Sequence, residues 1–276
     1  MTTGKVDFTG VQSTMLVTLF LRALDDKEKE PILGDHFAAE AVQRIGYDWK
    51  KLDKATITRS RASVAQRAKQ FDDWAADFVR RNPDATVLQL ACGLDSRAFR
   101  LDLPAGVRWF DVDLPDVMEL RRKLYDESDG YRMIAASVTD EAWLEEVPAD
   151  TPVLIIAEGL VMYLRENEVR QLLRQLTDHF RAGELIFDGM APWVAKTTQL
   201  LKKYLSRWYP YPAYWTATRD GSDIEHWNPR LRYRENVAVM GQLAQSSAPD
   251  LRRRVYRAGT GFDWLKNYLR VFRAEF

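Results

Sequence analysis

An α/β fold is predicted for this chain, with a mostly parallel sheet carrying helices on both faces. Three observations predict it. Short apolar runs recur at Thr86–Leu90, Val107–Asp111, Arg132–Ala135, Val153–Ala157 and Leu185–Asp188. Helix-like stretches separate several of them, notably Asp116–Tyr125 and Glu166–Phe180. The run VLIIA at Val153–Ala157 is apolar throughout, as a central strand covered on both sides must be.

The first eighty residues read as helical. Val11–Leu24 carries apolar positions at helical spacing, Asp35–Ile45 follows a Pro-Ile-Leu-Gly turn, and Ala55–Arg81 is long and mixed-polar until Asn82-Pro83-Asp84 stops it. These segments predict an N-terminal helical cap over 1–82, ahead of a core over 83–190. Beyond the core, the aromatic-rich stretch Trp193–Ala244 reads as helical and is too long for a simple crossover, so 191–247 is expected to be a lid. Within 248–276, Arg254–Ala258 and Leu269–Phe276 alternate charged with apolar side chains and are expected to pair as an antiparallel edge. With no repeat and no low-complexity linker, residues 1–276 are expected to form a single domain.

Composition narrows the function classes. Forty basic and forty acidic residues cancel, so no net field draws the chain to nucleic acid or to an anionic membrane. Cys92 is the only cysteine, which excludes an internal disulfide and a thiolate cluster. His36, His179 and His226 match no metal-ligand spacing, so no metal is expected. No apolar run approaches the roughly 20 residues that span a bilayer, and the start MTTGKVDFTG has no signal-like core, so a cytoplasmic protein is expected.

The chemistry-bearing residues lie where predicted strands end. The first strand runs into Ala91-Cys92-Gly93-Leu94-Asp95-Ser96-Arg97, and twenty positions after Gly93 comes Asp113, at the end of the second strand. A glycine turn there lets backbone approach a ligand, and a carboxylate there accepts both hydroxyls of a ribose. The plainer reading is a tight turn and a solvated aspartate. A dinucleotide requires a G-x-G-x-x-G turn around its pyrophosphate, whereas this loop offers Ala91, Gly93 and Ser96 at those places. S-adenosylmethionine carries no phosphate, which favours methyl transfer over hydride transfer. Glu158-Gly159 follows the central strand; Glu158 faces the cationic end of such a cofactor or caps the helix near Glu166.

Three ordered motifs, ACGLDSRAFR, WFDVDLPDVMELRRKL and AEGLVMYL, closely resemble the leucine carboxyl methyltransferase family, within it the polyketide O-methyltransferase branch. The opening TMLVTLFLRALD and the segment SVAQRAKQFDDW fit the same branch. The resemblance implies a Rossmann-like class I methyltransferase sheet with an antiparallel C-terminal edge, an N-terminal helical cap and an inserted helical lid. It also implies S-adenosyl-L-methionine as methyl donor and a carboxylate or hydroxyl oxygen as acceptor. Carried over by position, Arg67 meets the methionine carboxylate, Ala91, Gly93 and Asp95 form the turn beside the methionine moiety, and Asp113 with Leu114 holds the ribose. Ser137 stands where relatives place an acid against the adenine, Glu158 and Gly159 follow the fourth strand, and Tyr163 is the aromatic residue near the methyl-transfer crevice. Ala91 departs from the first glycine of the usual G-x-G-L-D, and Ser137 from the usual Asp.

The acceptor is expected to be a small aromatic molecule, because the stretch RWYPYPAYW crowds rings beyond what a solvated loop carries. Trp193, Trp208, Tyr209, Tyr211, Tyr214, Trp215 and Trp227 are the candidate pocket rings; the alternative is that they bind the lid to the core. His226 is the one histidine considered as a general base, against its reading as a surface residue. Two other functions compete: a carboxyl methyltransferase acting on a protein's C-terminal leucine, and a non-catalytic cofactor-binding relative.

Overall fold

Strands β1 (Thr86–Leu90), β2 (Arg108–Asp113), β3 (Tyr131–Ala135), β4 (Val153–Ala157), β5 (Gly183–Met190), β6 (Arg232–Ala238) and β7 (Leu269–Glu275) form one sheet in the order β3-β2-β1-β4-β5-β7-β6. The computed structural model describes residues 13–200, 216–218, 220–245 and 261–276. β1 to β5 run parallel, in registers such as Leu88 opposite Phe110 and Ile156 opposite Ile186. β7 lies antiparallel to β5, with Phe187 opposite Phe272, and β6 antiparallel to β7. The order reverses between β1 and β4, and at such a switch point an open sheet leaves a crevice at its carboxyl edge.

Alternation along the strands sends side chains to two cores. Val87, Trp109, Leu154, Ile156 and Val271 pack beneath helices α1 (Ser13–Asp26), α2 (His36–Arg44), α4 (Arg61–Arg81) and α6 (Pro115–Arg121). Leu88, Phe110, Ile155, Leu185 and Phe187 face the other side, against α7 (Glu166–His179). Both faces of the parallel strands are therefore covered, which is why β1 and β4 are buried along their whole length.

The predicted helix over Ala55–Arg81 is two. A single turn, α3 (Ala55–Thr58), is separated from α4 by a tight turn in which the Ser60 N–H donates to the Ile57 carbonyl at 2.9 Å. The glycine-turn helix α5 (Arg97–Arg100) is also one turn long.

The C-terminal part corrects the sequence reading more substantially. The antiparallel partner of β7 is β6 at Arg232–Ala238, inside the stretch read as helical lid. Its sequence RYRENVA is polar and nowhere fully buried, as an edge strand's is, so it carries little apolar alternation to betray it. Arg254–Ala258, the expected partner, lies outside the described residues. After β6, α10 (Val239–Gln245) packs back on α4, where Gln66 donates to Gln242 at 3.2 Å. The segment 191–247 thus contributes a strand and a core helix as well as α8 (Pro192–Leu200) and α9 (Ser222–Trp227). No helix among the described residues is long and apolar enough to cross a membrane.

Candidate active site

A cavity of about 410 Å³ opens along the carboxyl ends of the parallel strands. It runs from Ser137 beyond β3, past Asp113 and Leu114 at β2 and the Ala91–Asp95 turn after β1, to the Glu158–Leu164 segment after β4 and Met190 ending β5. Thr14, Met15 and Thr18 of α1 form its outer wall. All nine residues expected to hold the cofactor line this one cavity, as does Tyr163.

At the β1–β2 end the backbone does the positioning. The glycine turn bends through two left-handed residues, Ala91 at φ 49° and Gly93 at φ 53°. A β-carbon on Gly93 would stand 3.2 Å from that of Met15, so glycine keeps the cavity floor open. Ala91 pays for its methyl: a non-glycine residue in this region is strained by about 1–2 kcal/mol. The Gly93 amide donates to Asp113 Oδ2 at 2.7 Å, and its carbonyl accepts from Arg121 Nη1 at 3.1 Å. Arg121 is itself fully buried and ion-paired to Asp111. The other Asp113 oxygen accepts from the Leu114 amide at 2.7 Å. Burial raises the Asp113 carboxyl to about 6, against the two backbone N–H groups and Arg121, which favour its charge.

At the β4–β5 end, side chains from distant elements do the same work. Arg67 reaches in from α4 with Nε 3.0 Å from Glu158 Oε1 and Nη1 2.8 Å from Asp188 Oδ2. Burial alone would lower the Arg67 pKa, but Asp188 and Glu158 together hold it above its ordinary value. Asp188 Oδ1 accepts from the Gly159 amide at 2.5 Å, where φ is 67°. Glu158 also pairs with Arg97 Nη2 at 2.7 Å. It does not cap α7, whose first turn is closed by the Arg165 N–H on Glu168 Oε2 at 2.6 Å.

From Arg22 and Asp95 at the cavity a buried ionic network extends behind this wall, and the sequence did not announce it. Asp95 is bound by Arg22 at 3.0 Å, Arg97 at 2.8 Å and Arg100 at 2.5 Å, and also accepts from Gln89 at 3.0 Å. Asp72 bridges Arg97 and Arg100 at 2.6 Å each. Asp95 therefore lines the cavity with its carboxylate already occupied, and its part is to tie the glycine turn to α1 and α4. Arg22, Asp72 and Arg97 carry no local signature; Asp188, an acid near a strand's carboxyl end, answers the rule that found Asp113.

The predicted acceptor residues scatter. Trp227 is buried against Phe187 in the core on the α7 side, at 6.2 Å between ring centroids, and is absent from the cavity. His226 is exposed on α9, with its backbone carbonyl accepting from Arg170, and does not reach the cavity, which removes it as a candidate base. Neighbours in a helix point apart, so Trp227 goes inward and His226 outward. Trp193 packs edge-on to Trp264 at 5.1 Å and stays 37% exposed, also outside the cavity. Trp208, Tyr209, Tyr211, Tyr214 and Trp215 lie outside the described residues. Met162 and Met190, which sequence reading passed over, line the β4–β5 end with Leu160 and Leu164.

The profile of the leucine carboxyl methyltransferase family matches residues 15–177, from α1 through the cavity to α7. The chain belongs to that family. It is 50% identical over 200 residues to the tetracenomycin polyketide synthesis O-methyltransferase TcmP of Streptomyces glaucescens, covering 71% of this chain and 73% of that protein. It is 38% identical over 261 residues to an S-adenosyl-L-methionine-dependent methyltransferase of Gibberella zeae, covering 88% and 87%. A crystal structure from Thermobifida fusca, described as that of a candidate methyltransferase, superposes with a TM-score of 0.58 at 15% identity, over 92% of this chain and 93% of that one. This member of the leucine carboxyl methyltransferase family has the class I methyltransferase sheet and is an S-adenosylmethionine-dependent methyltransferase.

Proposed function

We propose that this methyltransferase acts on an oxygen, carboxylate or hydroxyl, of a small aromatic, polyketide-like acceptor. The observation that carries the reading is the polarity of the cavity along the sheet. Its β2–β1 end suits a nucleoside, and its β4–β5 end, beyond Arg67 and Glu158, is lined by Leu160, Met162, Leu164 and Met190 beside Tyr163. Pliant methionines beside an aromatic residue suit a flat apolar acceptor. The TcmP relative is named for tetracenomycin polyketide synthesis, which supports the same class.

The residues present fit the cofactor. Each Asp113 oxygen accepts one backbone N–H, leaving lone pairs directed at the cavity for the two ribose hydroxyls. Leu114 and Ser137 flank the adenine position, and the left-handed turn at Gly93 keeps room that a side chain would fill. Arg67 has no hydrogen bond from Nη2 to either of its carboxylates, which leaves that edge for the methionine carboxylate. Glu158 stands on the same wall for the ammonium. Bound S-adenosylmethionine supplies a methyl group already activated by its sulfonium. The chain's own task is positioning and exclusion of water, worth about 7–11 kcal/mol when geometry is held well.

With His226 turned away, the described β4–β5 end holds no histidine, and its two carboxylates are bound to arginine. That arrangement favours an acceptor that is already ionised, a carboxylate, over a phenol that needs a base. Tyr163, which lines this end, is the residue we assign to orient it. For the lid, the observation in favour is where its ends attach: α8 starts directly after β5, and the chain returns with Thr216 Oγ1 donating to the Leu164 carbonyl at 2.6 Å and the Thr218 N–H to that of Met190 at 3.0 Å. Of the proposed lid over 191–247, this supports the part that follows β5, whereas β6 and α10 belong to the sheet and the core.

The test is methyl transfer from radiolabelled S-adenosylmethionine to a panel of aromatic carboxylic acids, phenols and a peptide ending in leucine. Label in an alkali-labile ester of an aromatic acid is the expected outcome. Label confined to the peptide would establish the protein-directed reading, and binding without transfer to any acceptor would favour the non-catalytic one.

A further inference from the structure

Asp188 is fully buried at the carboxyl end of β5 and is not part of the cavity wall. Both of its oxygens are nonetheless committed to groups that are. Oδ2 holds Arg67 Nη1 at 2.8 Å, and Oδ1 holds the Gly159 amide at 2.5 Å. One carboxylate thereby joins α4, the turn after β4 and the end of β5.

We propose that Asp188 is a positioning residue for the cofactor, fixing the Arg67 guanidinium in the orientation that receives the methionine carboxylate. The inference rests on the cofactor reading above. Arg67 enters on a long, flexible side chain, and a fork that recognises a carboxylate works only if its plane is set beforehand. Glu158 does not set that plane, because its oxygen lies 3.0 Å from Nε without making a hydrogen bond to it and is shared with Arg97. Asp188 supplies the hydrogen bond that does, at Nη1, and its own place is set by the Gly159 amide. The remaining edge of the guanidinium then faces the cavity above Gly159, where a β-carbon would come within 3.8 Å of Nη1 and 4.0 Å of Nη2. A carboxylate that served only to neutralise a core arginine would have no reason to hold the turn of the binding wall as well.

The experiment separates positioning from structure by truncating the ligand. S-adenosylhomocysteine carries the amino-acid end that Arg67 would read; 5′-methylthioadenosine has the same nucleoside and sulfur but lacks it. Both are titrated calorimetrically into the wild type, Asp188→Asn, Arg67→Gln and the double variant. Asp188→Asn is expected to weaken S-adenosylhomocysteine about tenfold and to leave methylthioadenosine within about twofold. In the Arg67→Gln background the same change should add less than about twofold, because the group it positions is gone. Equal weakening of both ligands, or additivity in the double variant, would overturn the proposal. If Asp188→Asn does not fold, Asp188→Glu keeps the charge but moves it by one methylene, and the same selective loss is expected. A wild type that binds neither ligand would instead overturn the cofactor reading itself.

Discussion

The two ends of the cavity hold their carboxylates by different means. At the β1–β2 end, Asp113 is fixed by amides of the glycine turn and of its own next residue. At the β4–β5 end, Glu158 and Asp188 are fixed by Arg67, which comes from a helix 121 positions earlier than Asp188. The first device is neutral and local; it leaves an ionisable acid under tension from burial. The second is a buried ion pair, stable only while both partners are present. Removing a residue should therefore cost binding at one end, and folding as well at the other.

The largest expected effect is Arg67→Ala. It leaves Asp188 buried with only the Gly159 amide, and stranding a buried charge costs about 3–5 kcal/mol. Chemical denaturation should show that loss together with weakened cofactor binding; a stability unchanged within about 1 kcal/mol would erase the contrast between the two ends. Asp113→Ala should do the reverse. Two charge-assisted hydroxyl bonds disappear, so affinity for S-adenosylhomocysteine falls by about 100-fold or more. Stability changes little, because the lost amide bonds are offset by removing an acid whose ionisation the site opposes.

The same carboxyl sharpens the comparison through pH. Its folded value of about 6 lies above the ordinary carboxyl value of about 3.8, so the ligand-free fold binds this proton more readily than the unfolded chain does. Asp113's contribution to folding is thus greatest at low pH and is lost as pH rises through about 6. Cofactor binding runs the other way, since the ionised form accepts the hydroxyls. Affinity measured by titration should be flat above about pH 7 and fall about tenfold per unit below about 6, and Asp113→Asn should flatten the profile. The smallest effect is expected at the turn itself. Ala91→Gly relieves a left-handed alanine at φ 49°, and should raise stability by about 1 kcal/mol after the unfolded chain's added entropy is subtracted. A destabilised variant in thermal unfolding would show that the alanine methyl packs better than the strain it causes.

The contrast also separates what was readable in advance from what was not. The β1–β5 runs, the glycine turn and Asp113 follow from periodicity and strand-end chemistry, because each is set by neighbours in the chain. The edge strand β6 escaped notice because RYRENVA is polar on an exposed rim. His226 and Trp227 are adjacent in sequence yet diverge, one to solvent and one to the core, and only the packing of α9 against α7 and β6 decides which goes where.

The sequence by itself determined the parallel sheet, the family and the row of residues along the cavity. These depend on local alternation, on turns that few residues can make, and on motifs whose spacing is fixed by strand length. Tertiary structure alone decided that Asp95 is bound by three arginines, that Glu158 is shared between Arg67 and Arg97, and that Asp188 stands behind Arg67. A buried charge must find its partner in space, and nothing in the chain's local order says which of forty acids will meet which of forty bases.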